Sequence, residues 1–313
     1  MRAVTVVDEK VEIRDHPDPV PGKGEVLVRV HAAGMNAADL IQVRGGYPPP
    51  PGWPADILGI ELAGEVIDAG PGATRFGTGE RVMAIVGGGG QAELAVIHER
   101  EVMPVPAILD WESAGGLPEA FMTAHDALFS QAGLSLGEHL LVSGAAGGVG
   151  TAAVQLGAAA GARVTASVRD PARRPGVAAL GAEVVDPADI AAHGPFDVVL
   201  ELVGTANMET NLVCLATGGR VCVIGGQIGP TSTVNLGLLM GSRGRIHGST
   251  LRYRPLEAKA AVARLVETHV LPLVESGRIK VPIDSAFSLE DAPAAYERFA
   301  AGHKLGKVVL TCS

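Results

Sequence analysis

The sequence predicts an α/β fold, in which a doubly wound parallel sheet is flanked by β-rich terminal segments. Between His139 and Ser249, short apolar or β-branched runs alternate with helix-forming stretches, as in a parallel sheet with crossovers. The first run, His139–Ser143, ends in a glycine cluster (Gly144, Gly147, Gly148, Gly150), and an Ala-rich helical segment follows. Before residue 117 the chain reads as short strands separated by turns, and strand character returns after Ala286.

The bulk composition narrows the class. A chain of 313 residues suggests two domains, given a prior of about 150 residues each. Lys and Arg number 25 against 34 Asp and Glu, a net charge of −9. That balance argues against an extended nucleic-acid surface. Cys214, Cys222 and Cys312 have no CxxC spacing, which fits a reducing compartment and excludes a disulfide framework. The first residues, MRAVTVVDEKVEIRD, carry charges where an export signal has its apolar core, so a cytoplasmic protein is expected. Leu140–Ala162 holds no charged residue, and its length meets the roughly 20 residues of a membrane span. It is mostly Gly and Ala, however, and its glycine cluster would break a spanning helix, so no membrane segment is expected.

In the N-terminal part, Val26, Val28 and Val30 alternate with Leu27 and Arg29, a strand signal. Further strands are predicted at Leu62–Ile67 and Arg81–Val86. Turns fall at Pro19–Gly22, Gly70–Gly72 and Gly87–Gly90. From Pro118 the character changes. A helix is predicted over Glu119–Gln131, then strands at His139–Ser143, Arg163–Val168, Glu183–Asp186, Asp197–Leu202, Arg220–Ile224 and Arg245–Ser249. The interval from Val184 to Phe196 is too short for much of a crossover helix. Leu256–His269 has helical periodicity, and Pro272 should end it. The tail carries strands at Ala286–Ser288 and Lys307–Leu310 around a helix at Ala294–Ala301, and is expected to rejoin the first domain.

The glycine cluster is the strongest functional signal. A pyrophosphate needs backbone N–H groups at a helix N-terminus and no Cβ in its way. In the GxGxxG frame this chain reads Ala145-x-Gly147-x-x-Gly150, so the first glycine is replaced. Between a strand and a helix that lead to a second strand, the pattern still points to a dinucleotide. Ala146, Gly147, Gly148 and Val149 are the expected pyrophosphate contacts. About 20 residues on, an acid would hold a ribose 2′-hydroxyl. Val168 stands there, between Ser167 and Arg169, with Asp170 two positions late and Arg173 beyond. Ser167, Arg169 and Arg173 suit a 2′-phosphate, so NADPH is the expected cofactor. Asp170 as a ribose partner is the rival, and a solvated charged loop accounts for some of the arginines. Further contacts are expected at strand ends, at Val203, Gly225, Gly226 and Leu251, with Arg252 beside the last. Lys307 in the returning tail is a further candidate.

The segment GAAGGVG followed by TAAVQL resembles the quinone oxidoreductase (zeta-crystallin-like) branch of the medium-chain dehydrogenase/reductase family. The likeness extends over nearly the whole chain, through PGKGEVLVRVHAAGMNAADL, GGYPPPPG, ILGIELAGEV, GGGGQAELA, PEAFMTAHDAL and LGKVVL. It implies a GroES-like catalytic domain split between the termini (1–117 and 260–313), a Rossmann domain (118–259) and a homodimer. The dimer would pair sheet edges near Arg245–Thr250. The resemblance also places Asn36, Tyr47 and Thr123 beside the nicotinamide.

Alcohol-oxidising members of that family hold zinc through Cys, His and a carboxylate or second Cys. Here the corresponding positions are Asn36, Ile60 and Glu119, and no cysteine precedes Cys214. Tetrahedral zinc needs N and S donors, so no metal is expected. Hydride transfer to a quinone or an activated C=C needs placement and little acid–base help. Tyr47 and Asn36 could hydrogen-bond the acceptor oxygen. Tyr47 could also donate a proton, although an ordinary phenol pKa of about 10 leaves water as a competitor. Alternatively Tyr47 anchors its proline-rich loop against Trp53, and Asn36 and Thr123 act as caps. The expected activity is zinc-independent reduction of a small quinone or enone by NADPH, without nucleic-acid or membrane partners. Its rivals are an alkenal or enoyl double-bond reductase and a non-catalytic, crystallin-like nucleotide-binding protein.

Overall fold

The structure is a computed structural model that describes residues 1–224 and 232–312. The chain forms two compact units. One comprises Met1–Met122, Leu251–Gly302 and Lys307–Ser313, and the other Thr123–Thr250 with His303–Gly306.

The first unit opens with an antiparallel hairpin of β1 (Arg2–Val7) and β2 (Lys10–Asp15). Its two-residue turn, Asp8–Glu9, has φ of 48° and 60°. Two consecutive positive φ values usually call for Asn-Gly, so this turn carries no sequence signal. Then come β3 (Glu25–Gly34), α1 (Ala37–Val43), β4 (Glu61–Ala69), β5 (Arg81–Ile85), β6 (Leu94–His98) and β7 (Met103–Pro104). Val26, Val28 and Val30 are buried and Arg29 is exposed, as the alternation requires. Short helices α2 (Trp111–Gly115) and α3 (Pro118–His125) complete this stretch. The helix expected over Glu119–Gln131 is α-helical only to His125. Asp126–Gln131 widens into a π-turn, a local form found most often near functional sites.

The second unit is the parallel sheet: β8 (His139–Ser143), α4 (Gly148–Ala159), β9 (Arg163–Ser167), α5 (Arg174–Ala178), β10 (Glu183–Val185), α6 (Ile190–His193), β11 (Phe196–Glu201), α7 (Met208–Val213), β12 (Leu215–Ile224), α8 (Leu236–Ser242) and β13 (Arg245–Ser249). Strand order is β10-β9-β8-β11-β12-β13, every pairing parallel. The chain winds outward from β8 through β9 and β10, then returns to β8's other side with β11. That reversal is the switch point of a doubly wound sheet, where ligands bind outside the strand C-termini. All of β8 is buried, because helices cover both faces. The short interval before β11 holds a 3-10 turn, Pro187–Asp189, and the one-turn α6, in keeping with its length.

The tail adds α9 (Leu256–His269), α10 (Leu271–Glu275), β14 (Ile283–Ser288), α11 (Ala292–Ala300) and β15 (Lys307–Thr311). It completes the first unit's sheet, in the order β14-β15-β3-β4-β5-β7, with β6 also paired to β3. Val28, Leu62, Val82 and Val308 form its core with Tyr296 and Phe299 of α11. Each large apolar side chain buried this way contributes about 1.5–3 kcal/mol. The units divide after Met122 and Thr250, rather than at the expected 117 and 259. The second boundary moves because Arg252 and Lys259 already bond within the first unit, to Gly87 O and to Glu101. Among the described residues no helix is long and apolar enough to cross a membrane.

Candidate active site

In the second unit the glycine cluster forms a cradle. Gly144 ends β8 with φ of 75°, and Gly147 is the N-cap of α4. A glycine N-cap has no side chain to satisfy the first-turn N–H groups, and no acid lies in that turn. Those groups and the positive end of the helix dipole are left for an anion. A Cβ built on Gly147 would find only Gly144 O, at 3.9 Å, so open space lies over this position. Gly150 differs: its Cβ would lie 2.6–2.7 Å from Ala145 backbone atoms. It lets the helix pack on the turn, whereas Gly147 leaves room for a ligand. The Ala146 carbonyl accepts from Gly306 N at 2.8 Å, which leaves the amide side of this turn for ligand contact. A dinucleotide pyrophosphate therefore fits.

Ser167 ends β9, buried, and its carbonyl accepts from Ala145 N at 3.2 Å. Val203, 46% exposed, follows β11 and would lie 3.0 Å from a Cβ on Gly144. The sheet thus gathers Ser167 and Val203 around the cradle. Past Ser167, Val168 is buried and Arg169 exposed. The rival ribose partner, Asp170, is engaged elsewhere. Its carboxylate accepts from Ala172 N at 3.0 Å, contacts His303 Nδ1 at 2.9 Å and lies 3.8 Å from Arg173 Nε. The hydrogen bonds with His303 and Ala172 hold its carboxyl below the usual carboxylate range. Thr123 is buried on α3, and Gly225 and Gly226 lie outside the described residues.

In the first unit, a buried polar cluster centres on Glu61. Its Oε1 accepts from Lys307 Nζ at 2.5 Å and Asn36 Nδ2 at 2.8 Å, and its Oε2 from Glu119 N at 2.7 Å. Lys307 Nζ also donates to Met35 O at 2.8 Å and Asn36 Oδ1 at 2.7 Å. The side chains of the pair are 4% and 0% exposed. With three acceptors for its three protons, Lys307 is committed to this cluster rather than to a cofactor, a correction to its expected role. The Asn36 amide is oriented by the same contacts, with its second proton held only weakly, by Gly34 O at 3.3 Å. Leu251, another expected cofactor contact, is buried in the first unit, where its carbonyl accepts from Arg254 N.

Tyr47 takes φ of 50°, the left-handed region that a bulky residue rarely adopts. What holds it there is Arg252. The buried guanidinium donates to Tyr47 O at 2.7 Å, Gly87 O at 2.7 Å and Gln42 Oε1 at 2.6 Å. It also lies 4.9 Å from the Tyr47 ring centroid. Tyr253 meets the same ring edge-on at 5.3 Å, and its hydroxyl donates to Pro48 O. Trp53 packs over Gly87, with Lys259 Nζ 5.4 Å from its ring.

Two family models match the chain. Residues 22–107 match the alcohol dehydrogenase GroES-like domain, and residues 180–310 match the zinc-binding dehydrogenase model. A quinone oxidoreductase of Pseudomonas aeruginosa is 32% identical over 96% of this chain and 95% of its own. The chain belongs to the medium-chain dehydrogenase/reductase family, in its quinone oxidoreductase branch. An acryloyl-coenzyme A reductase of Metallosphaera sedula is 29% identical over 99% of this chain and all of its own. A mycobacterial protein complexed with NADPH superposes with a TM-score of 0.87 at 26% identity, covering 99% of this chain and all of that one. The chain also matches polyketide synthase GfsB of Streptomyces halstedii, at 33% identity over 92% of its length, but spans only 5% of that protein.

The zinc that gives one matching family model its name does not fit this chain. The positions that would ligate it are Asn36, buried Ile60 and Glu119, and Lys307 Nζ stands 2.7 Å from Asn36 Oδ1. An ammonium held there disfavours a divalent cation. Nothing in the sequence marks Asp39 or Gln42 as part of a site. Only Glu61 had a signal, as the acid following the lost histidine in Gly59-Ile60-Glu61.

Proposed function

We propose that the chain is a zinc-independent, NADPH-dependent reductase of small quinones. The observation that carries this reading is the Asn36–Glu61–Lys307 cluster, which includes Asn36, the position that the resemblance gives to the first metal ligand of alcohol-oxidising relatives. Without a Lewis acid there is nothing to stabilise an alkoxide, so the acceptor has to be electron-poor already. Bound NADPH supplies the hydride. Gly147, Gly148 and Val149 would offer their amides to its pyrophosphate, and Ser167, Arg169 and Arg173 would hold its 2′-phosphate. Ala146, Thr123 and Val203 complete the cofactor's contacts. Asn36 and the Tyr47 hydroxyl orient the acceptor oxygen, and Tyr47, reprotonated by solvent, or water donates the one proton that completes the reduction. A homodimer paired along β13, the outermost strand of its sheet, accompanies this reading. The acryloyl-coenzyme A reductase relative favours a second reading, reduction of an activated C=C at the same site.

A panel of quinones and α,β-unsaturated carbonyls, assayed for saturable NADPH consumption, separates the two. Quinones are expected to turn over faster, and a preference for enones would replace the first reading by the second. Tyr47→Phe is expected to lower kcat about tenfold or more, within the range of general acid–base effects, and to leave NADPH affinity near wild type. Unchanged turnover would return Tyr47 to an anchoring role.

A further inference from the structure

Helix α1 links the two residues assigned to the acceptor. Asn36 is its N-cap, while Gln42 in its last turn holds Arg252, which in turn holds Tyr47. On the buried side of this helix lie Asp39 and Gln42, three residues apart and therefore one above the other. Asp39 Oδ2 accepts from Asn36 N at 2.7 Å and from Gln91 Nε2 at 3.4 Å. Gln91 Oε1 accepts from the Tyr296 hydroxyl at 2.8 Å. Asp39 Oδ1 and Gln42 Nε2 are both buried and have no hydrogen-bond partner among the described residues. An acceptor and a donor are thus left unsatisfied on adjacent turns of one helix, an arrangement that a buried polar pair seldom keeps.

The charged and titratable groups facing Asp39 are Lys307 from β15, Glu61 from β4, Tyr296 from α11, and Arg252. Burial outweighs the Asn36 N–H bond and the two cations, and pushes the carboxyl up to about 7. Once ionised, Oδ1 carries charge with no donor, and Gln42, three residues along the same helix, holds an amide N–H group that is also without a partner. A turn of that amide toward Asp39 would compete with the Oε1 contact that Arg252 uses.

We propose that Asp39 is a pH-sensing positioning residue: loss of its proton draws Gln42 from Arg252, relaxes the hold of Arg252 on Tyr47, and so lowers acceptor turnover without changing NADPH binding. The turnover part rests on the function proposed above, whereas the protonation and its effect on Tyr47 do not.

The test has two arms on the full-length protein, each comparing wild type with Asp39→Asn. In the first, infrared spectra taken across neutral pH should show a protonated-carboxyl band that fades as pH rises and is missing in Asp39→Asn. Tyrosine difference absorbance should change over the same pH range, and that change should be lost in both Asp39→Asn and Tyr47→Phe. In the second, kcat/KM for the acceptor should fall about fivefold from the acid to the alkaline side in wild type. In Asp39→Asn it should stay nearly flat, with the Kd for NADPH unaffected in both proteins. Absence of an Asp39-dependent band, or of a Tyr47 signal that follows it, would overturn the proposal. So would an acceptor profile that is the same in Asp39→Asn as in wild type. If no acceptor is reduced at all, the proposed function fails, and the first arm still decides whether Asp39 senses pH and moves Tyr47.

Discussion

Lys307→Met is expected to cost about 3–5 kcal/mol of stability, the usual effect of removing one partner of a buried ion pair. Lys307 and Glu61 are almost wholly buried, 2.5 Å apart, and share Asn36. Without the ammonium, Glu61 keeps two N–H donors but loses its counter-charge, and the desolvated carboxylate has to be tolerated or protonated. A loss of that size is a large share of the 5–15 kcal/mol by which domains are stable. Urea unfolding reads it directly. Glu61→Gln combined with Lys307→Met should lose less than Lys307→Met alone, because no uncompensated charge remains, and the double-mutant cycle isolates the coupling. A Lys307→Met protein that unfolds at the wild-type midpoint would contradict the picture of a charged cluster.

Gly147→Val is expected to leave folding near wild type and to weaken NADPH binding by at least about tenfold, roughly 1.4 kcal/mol. The reason is geometric. A Cβ on Gly147 meets only Gly144 O, at an ordinary 3.9 Å, so a side chain there is accommodated by the protein and extends into the volume assigned to the pyrophosphate. Gly150→Val is the contrasting variant, since its side chain would be forced into the Ala145 backbone. It should lower the melting temperature as well as binding. Fluorescence titration with NADPH, together with thermal melts of both variants, checks the pair. If Gly147→Val binds NADPH as wild type does, the cradle is not the pyrophosphate site.

Asp39 makes a stability prediction of opposite sign to an ordinary carboxylate. Its folded value, about 7, lies above the unfolded value of 3.8. Between those two pH values the folded state binds more protons, so stability falls as pH rises. The contribution is full below the unfolded value and is lost as pH climbs through the folded one. Three pKa units correspond to about 4 kcal/mol. Asp39→Asn should therefore melt progressively higher than wild type as pH goes from 4 to 8. A gap that stays constant over this range would show that the Asp39 carboxyl is not raised above its unfolded value in the folded protein.

The parallel sheet was legible because burial on both faces leaves a mark in composition. The run Leu140–Val142 is continuously apolar, and the predicted bounds of β8 and β13 match the observed ones. The cradle was legible for a related reason, since Gly144 takes φ of 75° and Gly150 has no room for a Cβ against Ala145, so the turn is marked by glycine. The β1–β2 hairpin was not, because Asp8 and Glu9 adopt positive φ without the glycine that advertises such a turn. The buried network was also illegible. Asp39, Gln42 and Arg252 are polar residues whose partners lie up to 210 positions apart, and polarity alone predicts solvent exposure. The partners of Lys307 were likewise illegible, since nothing beside it in sequence shows that it meets Glu61 of β4, 246 positions away.

Steady-state oxidation of NADPH and NADH with a single quinone acceptor tests the central claim most directly. Saturable consumption is predicted with NADPH, with NADH bound at least about tenfold more weakly, because Asp170 is engaged by His303 and Ala172 and Val168 stands in the acid's place. Equal apparent affinity for the two cofactors would contradict the assignment of Ser167, Arg169 and Arg173. No oxidation of either cofactor would contradict the account as a whole.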